Sequence, residues 1–159
     1  MKKSAAIALL IALCLTLFAG CGNSDTTTDP GFDKVAAAIE GVVSVDSMAE
    51  QDSSYIENRL GLAADSYDQA LVMVTNVGTS SDEFGLFKGK DEAQVDGIKT
   101  AIQNYLNRCL EGWMPYHPEE LPKLQNAQIF TEGNYVLYVI LAEDTKAAAN
   151  EAFTGCFQA

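Results

Sequence analysis

Tyr135-Val136-Leu137-Tyr138-Val139-Ile140-Leu141-Ala142 decides the fold class. Eight uncharged residues, rich in β-branched and aromatic side chains, form a strand. No polar residue alternates with the apolar ones, so both faces of that strand are expected to be covered, as in the middle of a sheet. Just before it, Glu132-Gly133-Asn134 is turn chemistry, and Gly-Asn suits a type II′ hairpin. Ala127 to Thr131 is then the antiparallel partner of this strand.

Upstream lies the clearest helix. Val95, Ile98, Ile102, Tyr105, Cys109 and Trp113 follow one another at three- and four-residue steps, which puts them on one face. Asp91 is placed to cap it, with Glu92 favourable in its first turn. Pro115, Pro118 and Pro122 prevent its continuation, although Pro118-Glu119-Glu120-Leu121 can start a short turn. Two further strands precede it, Ala70 to Thr75 and Glu83 to Lys88, joined by the Gly- and hydroxyl-rich connection Asn76 to Ser81. From Phe32 to Leu62, Val35, Ile39, Val42/Val43, Met48, Tyr55, Ile56 and Leu60 make an interrupted helical stripe, which predicts two short helices. An Ala-rich helix closes the chain from Asp144 to about Phe157. The order α-β-β-α-β-β-α predicts an α+β domain over residues 32–159. Its mainly antiparallel sheet has four strands, in two pairs, with helices packed on it.

The first residues differ in kind. Met1-Lys2-Lys3 is a positive start, Ser4 to Phe18 is uncharged and largely apolar, and Ala19-Gly20 leads into Cys21. That is the layout of an export signal, and the Cys after two small residues resembles a bacterial lipoprotein signal. Such a signal implies a diacylglyceryl group on the Cys21 thiol and removal of residues 1–20. Residues 21–31 would be the lipidated Cys and a flexible stalk, since Gly22 to Gly31 holds no large apolar side chain. Acyl chains contribute about 0.8 kcal/mol per buried methylene, and two or more anchor stably. The expected place is the outer face of the cytoplasmic membrane.

The chain of 159 residues carries 10 Lys and Arg against 22 Asp and Glu, a formal charge of −12. Without Lys2 and Lys3 the mature chain would have 139 residues and a charge near −14. Such a surface speaks against nucleic acid and against adsorption to anionic lipid, both of which need clustered cations. Cys14 leaves with the signal, so the domain keeps Cys109 and Cys156. In an exported domain these are candidates for a disulfide, which would stabilise by about 4 kcal/mol for a loop of this length; two free thiols are the alternative. No CxxC pair accompanies the single His117, so no metal site and no cofactor are expected.

The connection and strand Ser80-Ser81-Asp82-Glu83-Phe84-Gly85-Leu86-Phe87-Lys88-Gly89-Lys90-Asp91 stand out, together with Arg108. Tyr116-His117-Pro118-Glu119-Glu120, Asn126-Ala127 and Gly133-Asn134-Tyr135-Val136 follow in order. On these residues the chain resembles a family of small lipoproteins of Gram-positive bacteria known as domain of unknown function 4358, over about residues 36–157. Gly89 and Cys109-Leu110 depart from its pattern. The resemblance implies a membrane-anchored domain with no assigned activity and no catalytic residue to carry over.

Nucleophilic catalysis needs a nucleophile, a base and something to orient the base. His117 lies in a proline-rich connection, and Ser80 and Ser81 are not in S-x-x-K spacing with Lys88. No catalytic residue is therefore assigned. A candidate binding patch comprises Glu83, Lys88, Arg108, Trp113 and Tyr116. Its ordinary reading is an ion pair that registers strand on helix, plus an aromatic lid of Trp113, Met114, Tyr116 and Phe130; its sharper reading is a polar notch. The expected role is a binding or protein-interaction module whose partner is an envelope protein, a peptide or a small ligand. An envelope hydrolase and a passive accessory lipoprotein are the alternatives. Convergence of Ser80, Ser81, Glu83, Lys88 or His117 in one pocket would favour the hydrolase. A large exposed apolar patch near Trp113 and Tyr116 would favour a protein partner.

Overall fold

The computed structural model of the chain describes residues 29–113 and 116–158. The expected export signal, the expected lipid site Cys21, most of the expected stalk, Met114 and Pro115 lie outside the described residues. No helix among the described residues is long and apolar enough to cross a membrane.

The elements in order are α1 (Phe32–Glu40), β1 (Met48–Glu50), α2 (Ser53–Tyr55), which runs on into a wide π turn Ile56–Leu60, β2 (Gln69–Thr75) and β3 (Glu83–Lys88). Then come α3 (Glu92–Trp113), a 3-10 turn Pro118–Glu120, α4 (Leu121–Gln125), β4 (Gln128–Glu132), β5 (Tyr135–Ile140) and α5 (Glu143–Gly155). One antiparallel sheet holds all the strands in the order β1-β2-β3-β5-β4. The α+β class and the antiparallel sheet agree with the sequence reading. The strand count does not: there are five strands where four are expected. Met48, read as part of a helical stripe, instead sits opposite Thr75 on the free edge of β2. Three residues are too few to announce themselves by pattern; the open ladder of β2 makes them a strand.

All six residues of β5 are buried, as its unbroken apolar run requires. Val136, Tyr138 and Ile140 face a layer built from α3, the α2–π-turn segment and Leu124 of α4. Tyr135, Leu137 and Val139 face α1 and α5 through Val35, Ile39, Ala149 and Phe153. Each fully buried aliphatic side chain contributes about 1.5–3 kcal/mol, so two apolar layers, one on each face, fix the register of the central strands. The hairpin from β4 to β5 turns at Gly133 and Asn134, with Glu132 opposite Tyr135. Gly133 takes φ 53°, while Asn134 stays out of the left-handed region. That is the type II′ pattern. At the start of α3 the Asp91 carboxylate accepts a hydrogen bond from the Gln94 amide at 2.9 Å, the cap expected of it.

Cys109 packs in the layer under α3, and Cys156 packs on the opposite face of the sheet. Both thiols are free. The disulfide considered from the sequence is absent because the sheet stands between the two residues.

Candidate functional site

Gly85 of β3 lies opposite Tyr138 of β5. A Cβ on Gly85 would come within 2.2 Å of Tyr138 Cε1, so only glycine lets that ring lie flat over the neighbouring strand. Thus placed, Tyr138 donates its hydroxyl to Glu83 Oε1 at 2.5 Å. From α3, Tyr105 donates to Glu83 Oε2 at 2.8 Å. The two rings meet edge to face with centroids 6.2 Å apart, and Tyr55 of α2 brings its hydroxyl to 3.4 Å from that of Tyr105.

Glu83 is only 5% exposed, yet it forms no ion pair among the described residues. Burial pushes its carboxyl up to about 6, against the downward pull of the two hydroxyls and of the Arg59 charge. The Tyr138 and Tyr105 hydroxyls are held well above the usual tyrosine range, first by burial and then by the Glu83 charge, so both remain donors. Burial likewise raises the Cys109 thiol nearby.

An inner chamber of about 190 Å³ opens on Glu83. Tyr55, Tyr105 and Trp113 line it with Thr75, Ser80 and Ser81; Val74, Leu124 and Ile140 give it an apolar side, and Arg59 and Cys109 complete the wall. It adjoins an outer cleft of about 550 Å³, lined by Asn58, Arg59, Arg108, Trp113, Tyr116 and His117. Arg59, Gly78, Tyr105, Cys109 and Trp113 line both spaces, so the two form one path from the surface to the buried carboxylate. Arg108 Nη2 donates to the Arg59 carbonyl at 2.7 Å, which brings the two arginines together at the mouth. Neither guanidinium is in an ion pair among the described residues.

The structure thus brings Glu83, Arg108, Trp113 and Tyr116 of the sequence-derived patch to one cleft. Lys88 does not join them. It sits at the far end of β3, five residue steps or about 17 Å from Glu83. There it pairs with Asp29 at 2.5 Å and lies 5.2 Å from the centre of the Tyr135 ring. The ordinary reading of Glu83 with Arg108 as an ion pair is also corrected, because Arg108 turns outward to the Arg59 carbonyl. Phe130 packs in the layer on the other face of the sheet and takes no part in the aromatic group at Trp113.

A second polar cluster braces the chamber. Glu120 Oε2 accepts from the Ser81 amide at 2.8 Å and from its hydroxyl at 2.7 Å. Lys123 reaches Asp82 at 2.8 Å, Glu120 at 2.5 Å and the Ser80 hydroxyl at 3.4 Å. Burial disfavours the charges here, yet the Lys123 and Ser81 bonds hold Glu120 below the usual carboxylate range. Lys123, opposed in the same way by burial, is raised by Asp82 and Glu120. A carboxylate so weakly basic and a lysine so firmly charged are poor bases for a serine nucleophile. His117 directs Nδ1 to Glu119 Oε1 at 3.1 Å and packs tilted against Trp113, with ring centres 5.3 Å apart. Ser80, Ser81 and Glu83 do share a chamber, but no serine is hydrogen-bonded to an available base among the described residues. The same residues hold no group of three His, Cys, Asp or Glu suited to a metal ion.

A family model described as "Domain of unknown function (DUF4358)" matches residues 42–141. The chain belongs to that family. No curated protein and no solved structure matches it. The DUF4358 span contains the whole cleft, from Tyr55 and Arg59 to Tyr138, whereas α1 and α5 lie outside it. Several residues of the DUF4358 cleft escaped the sequence reading. Tyr105 and Tyr138 look like core residues in an apolar stripe. Their signal is that a buried tyrosine hydroxyl needs a partner, and Glu83 is the acid that meets both. Arg59 carries no such signal, because the π turn that aims it is set by packing.

Proposed function

We propose that this protein is a lipid-anchored, extracytoplasmic binding module that takes a small ligand, or the end of a peptide, into the cleft between the α2–π-turn segment and the end of α3. The observation that carries the reading is the continuous path from the paired Arg59 and Arg108 at the surface to buried Glu83. Concave sites with apolar walls and a few convergent polar groups are the usual form of ligand pockets. In a chain this acidic, two arginines without ion-pair partners at one mouth favour a ligand with an anionic group. Lipidation of Cys21 would hold the module at the outer face of the cytoplasmic membrane, where a Cys21→Ser chain should move from the membrane to the soluble fraction.

The test of the binding role is the lipidated protein extracted from its own membrane in mild detergent. Small molecules and peptides released on denaturation would be compared by mass spectrometry with those from an Arg59→Ala/Arg108→Ala chain. A species released by the native protein and reduced at least tenfold in the variant is expected. Equal release from both, or none from either, would overturn the reading.

A further inference from the structure

A buried carboxylate normally meets a cation or loses its charge, because removing an ion from water costs several kcal/mol that hydroxyl donors only partly return. Glu83 departs from that rule in a specific way. Each of its two oxygens accepts from one tyrosine, no Lys or Arg among the described residues pairs with it, and a chamber opens beside it. A carboxylate oxygen that accepts one bond still has room for another. The other walls combine three aromatic residues, Tyr55, Tyr105 and Trp113, and the apolar Val74, Leu124 and Ile140 with the hydroxyls of Thr75, Ser80 and Ser81. Arg59 lines both this chamber and the outer cleft, where it can meet an anionic group of the same ligand. Aromatic rings attract organic cations, while a metal ion would need more oxygen or nitrogen donors than one carboxylate supplies.

We infer that the inner chamber is a subsite for an organic ammonium group, with the Glu83 carboxylate as its counter-ion. This rests on the binding reading above and narrows its ligand class. An ammonium group at Glu83 and an anionic group at Arg59 and Arg108 make the ligand a zwitterion, of the kind presented by amino acids and related small molecules. The chamber, at about 190 Å³, has room for an ammonium head and a few methylenes, and the anionic end falls in the wider cleft outside.

The sequence contains a single tryptophan. Trp113 lines both spaces, so its fluorescence reports occupancy in the full-length protein. Three six-carbon probes separate the contributions: 6-aminohexanoate carries both charges, hexylamine only the ammonium, and hexanoate only the carboxylate. Each would be titrated at pH 7.5 against the native protein and Glu83→Gln, which keeps the size of the side chain and one of its two acceptor oxygens while removing the charge. The expected order for the native chain is 6-aminohexanoate tighter than hexylamine, with Glu83→Gln weakening both at least tenfold and leaving hexanoate unchanged.

A second arm uses acidity. Between pH 7.5 and 5 the ammonium group of hexylamine keeps its charge, while Glu83, poised near 6, gains its proton. Binding of hexylamine should weaken over that range in the native protein and stay flat in Glu83→Gln. The other groups facing Glu83 are Tyr55 and Arg59 from α2 and the π turn, Tyr105 and Cys109 from α3, and Tyr138 from β5. None of these titrates in that window, because burial raises the tyrosines and the thiol and Arg59 stays charged. Asp82, Glu120 and Lys123 brace the chamber, and His117 lines the outer cleft. A pH effect arising from any of them would persist in Glu83→Gln and would count against the subsite. Hexanoate binding as tightly as 6-aminohexanoate, with no effect of Glu83→Gln, would overturn the ammonium subsite and leave the cleft reading standing. No response to any probe at millimolar concentration, with a ligand still recovered from the membrane-extracted protein, would likewise overturn the subsite alone.

Discussion

One strand carries an acid at its beginning and a base at its end, and the two are treated in opposite ways. Lys88 meets Asp29 and lies beside the Tyr135 ring, and Asp29 in turn accepts from the Tyr135 hydroxyl at 2.6 Å and from the Gly31 amide at 2.9 Å. Every charge there has a partner. At the other end, Glu83 is sunk under α3, hydrogen-bonded to hydroxyls and paired with no cation among the described residues. Arg59 acts on it only as a neighbouring charge, and an open chamber lies beside it. Charges matched within the chain serve the fold, and an unmatched one is kept for something outside it. Sites that bind are expected to be the places where stability is forgone.

The strongest way to break the Glu83 end is Gly85→Ala. The added methyl cannot coexist with the Tyr138 ring, so the ring must move and leave Glu83 with one donor fewer. Overpacking costs about 1–3 kcal/mol and a lost bond to a buried charge about as much again. Urea denaturation should show a loss of about 3 kcal/mol or more; a loss under 1 kcal/mol would mean that the ring is easily re-seated.

Glu83→Gln sharpens the contrast with the opposite sign. The folded carboxyl sits near 6, above the 4.5 of an exposed glutamate. The contribution of Glu83 is therefore most favourable below pH 4.5 and is lost as pH rises through 6. At pH 7.5 that loss amounts to about 2 kcal/mol. The variant should be more stable than the native protein by about 1–2 kcal/mol at pH 7.5, with the difference vanishing near pH 4.5. Native protein that is the more stable of the two at pH 7.5 would show that the charge is compensated.

How much of this was legible beforehand depends on what sets each element. β5, the hairpin and α3 are written in local pattern, and they appear where Tyr135, Gly133 and Val95 indicate. β1 is not, because Met48–Glu50 become a strand only by meeting the edge of β2. The site was half legible. Glu83, Arg108, Trp113 and Tyr116 drew notice as polar and aromatic residues in one region, and Lys88 joined them by nearness in sequence. A strand separates its ends by more than a side chain can span, so nearness along β3 misled. The glycine that seats Tyr138 and the hydroxyl pair that holds Glu83 depend on strand pairing, which no single segment encodes.

The smallest expected effect lies at the Lys88 end. Hydrogen bonds from Lys88, Tyr135 and the Gly31 amide lower the Asp29 carboxyl to about 2, so its contribution is present above about 3.8 and is lost as pH falls through 2. The Asp29 side chain is 53% exposed, and solvent screening limits the pair to less than 1 kcal/mol. Asp29→Asn should cost that little in urea and nothing further in 1 M salt. A cost above 2 kcal/mol would make this end as consequential as the other.

That modest pair would also bear on where the cleft of a lipid-anchored chain points. If Cys21 carries the lipid, only eight residue steps separate the acyl chains from Asp29, a leash of at most about 28 Å. Asp29 is fastened at the Lys88 end of β3, and the chamber opens at the Glu83 end. The leash thus enters the domain at the end remote from the chamber, and a domain held this way would present its mouth outward, toward whatever arrives from beyond the cell surface.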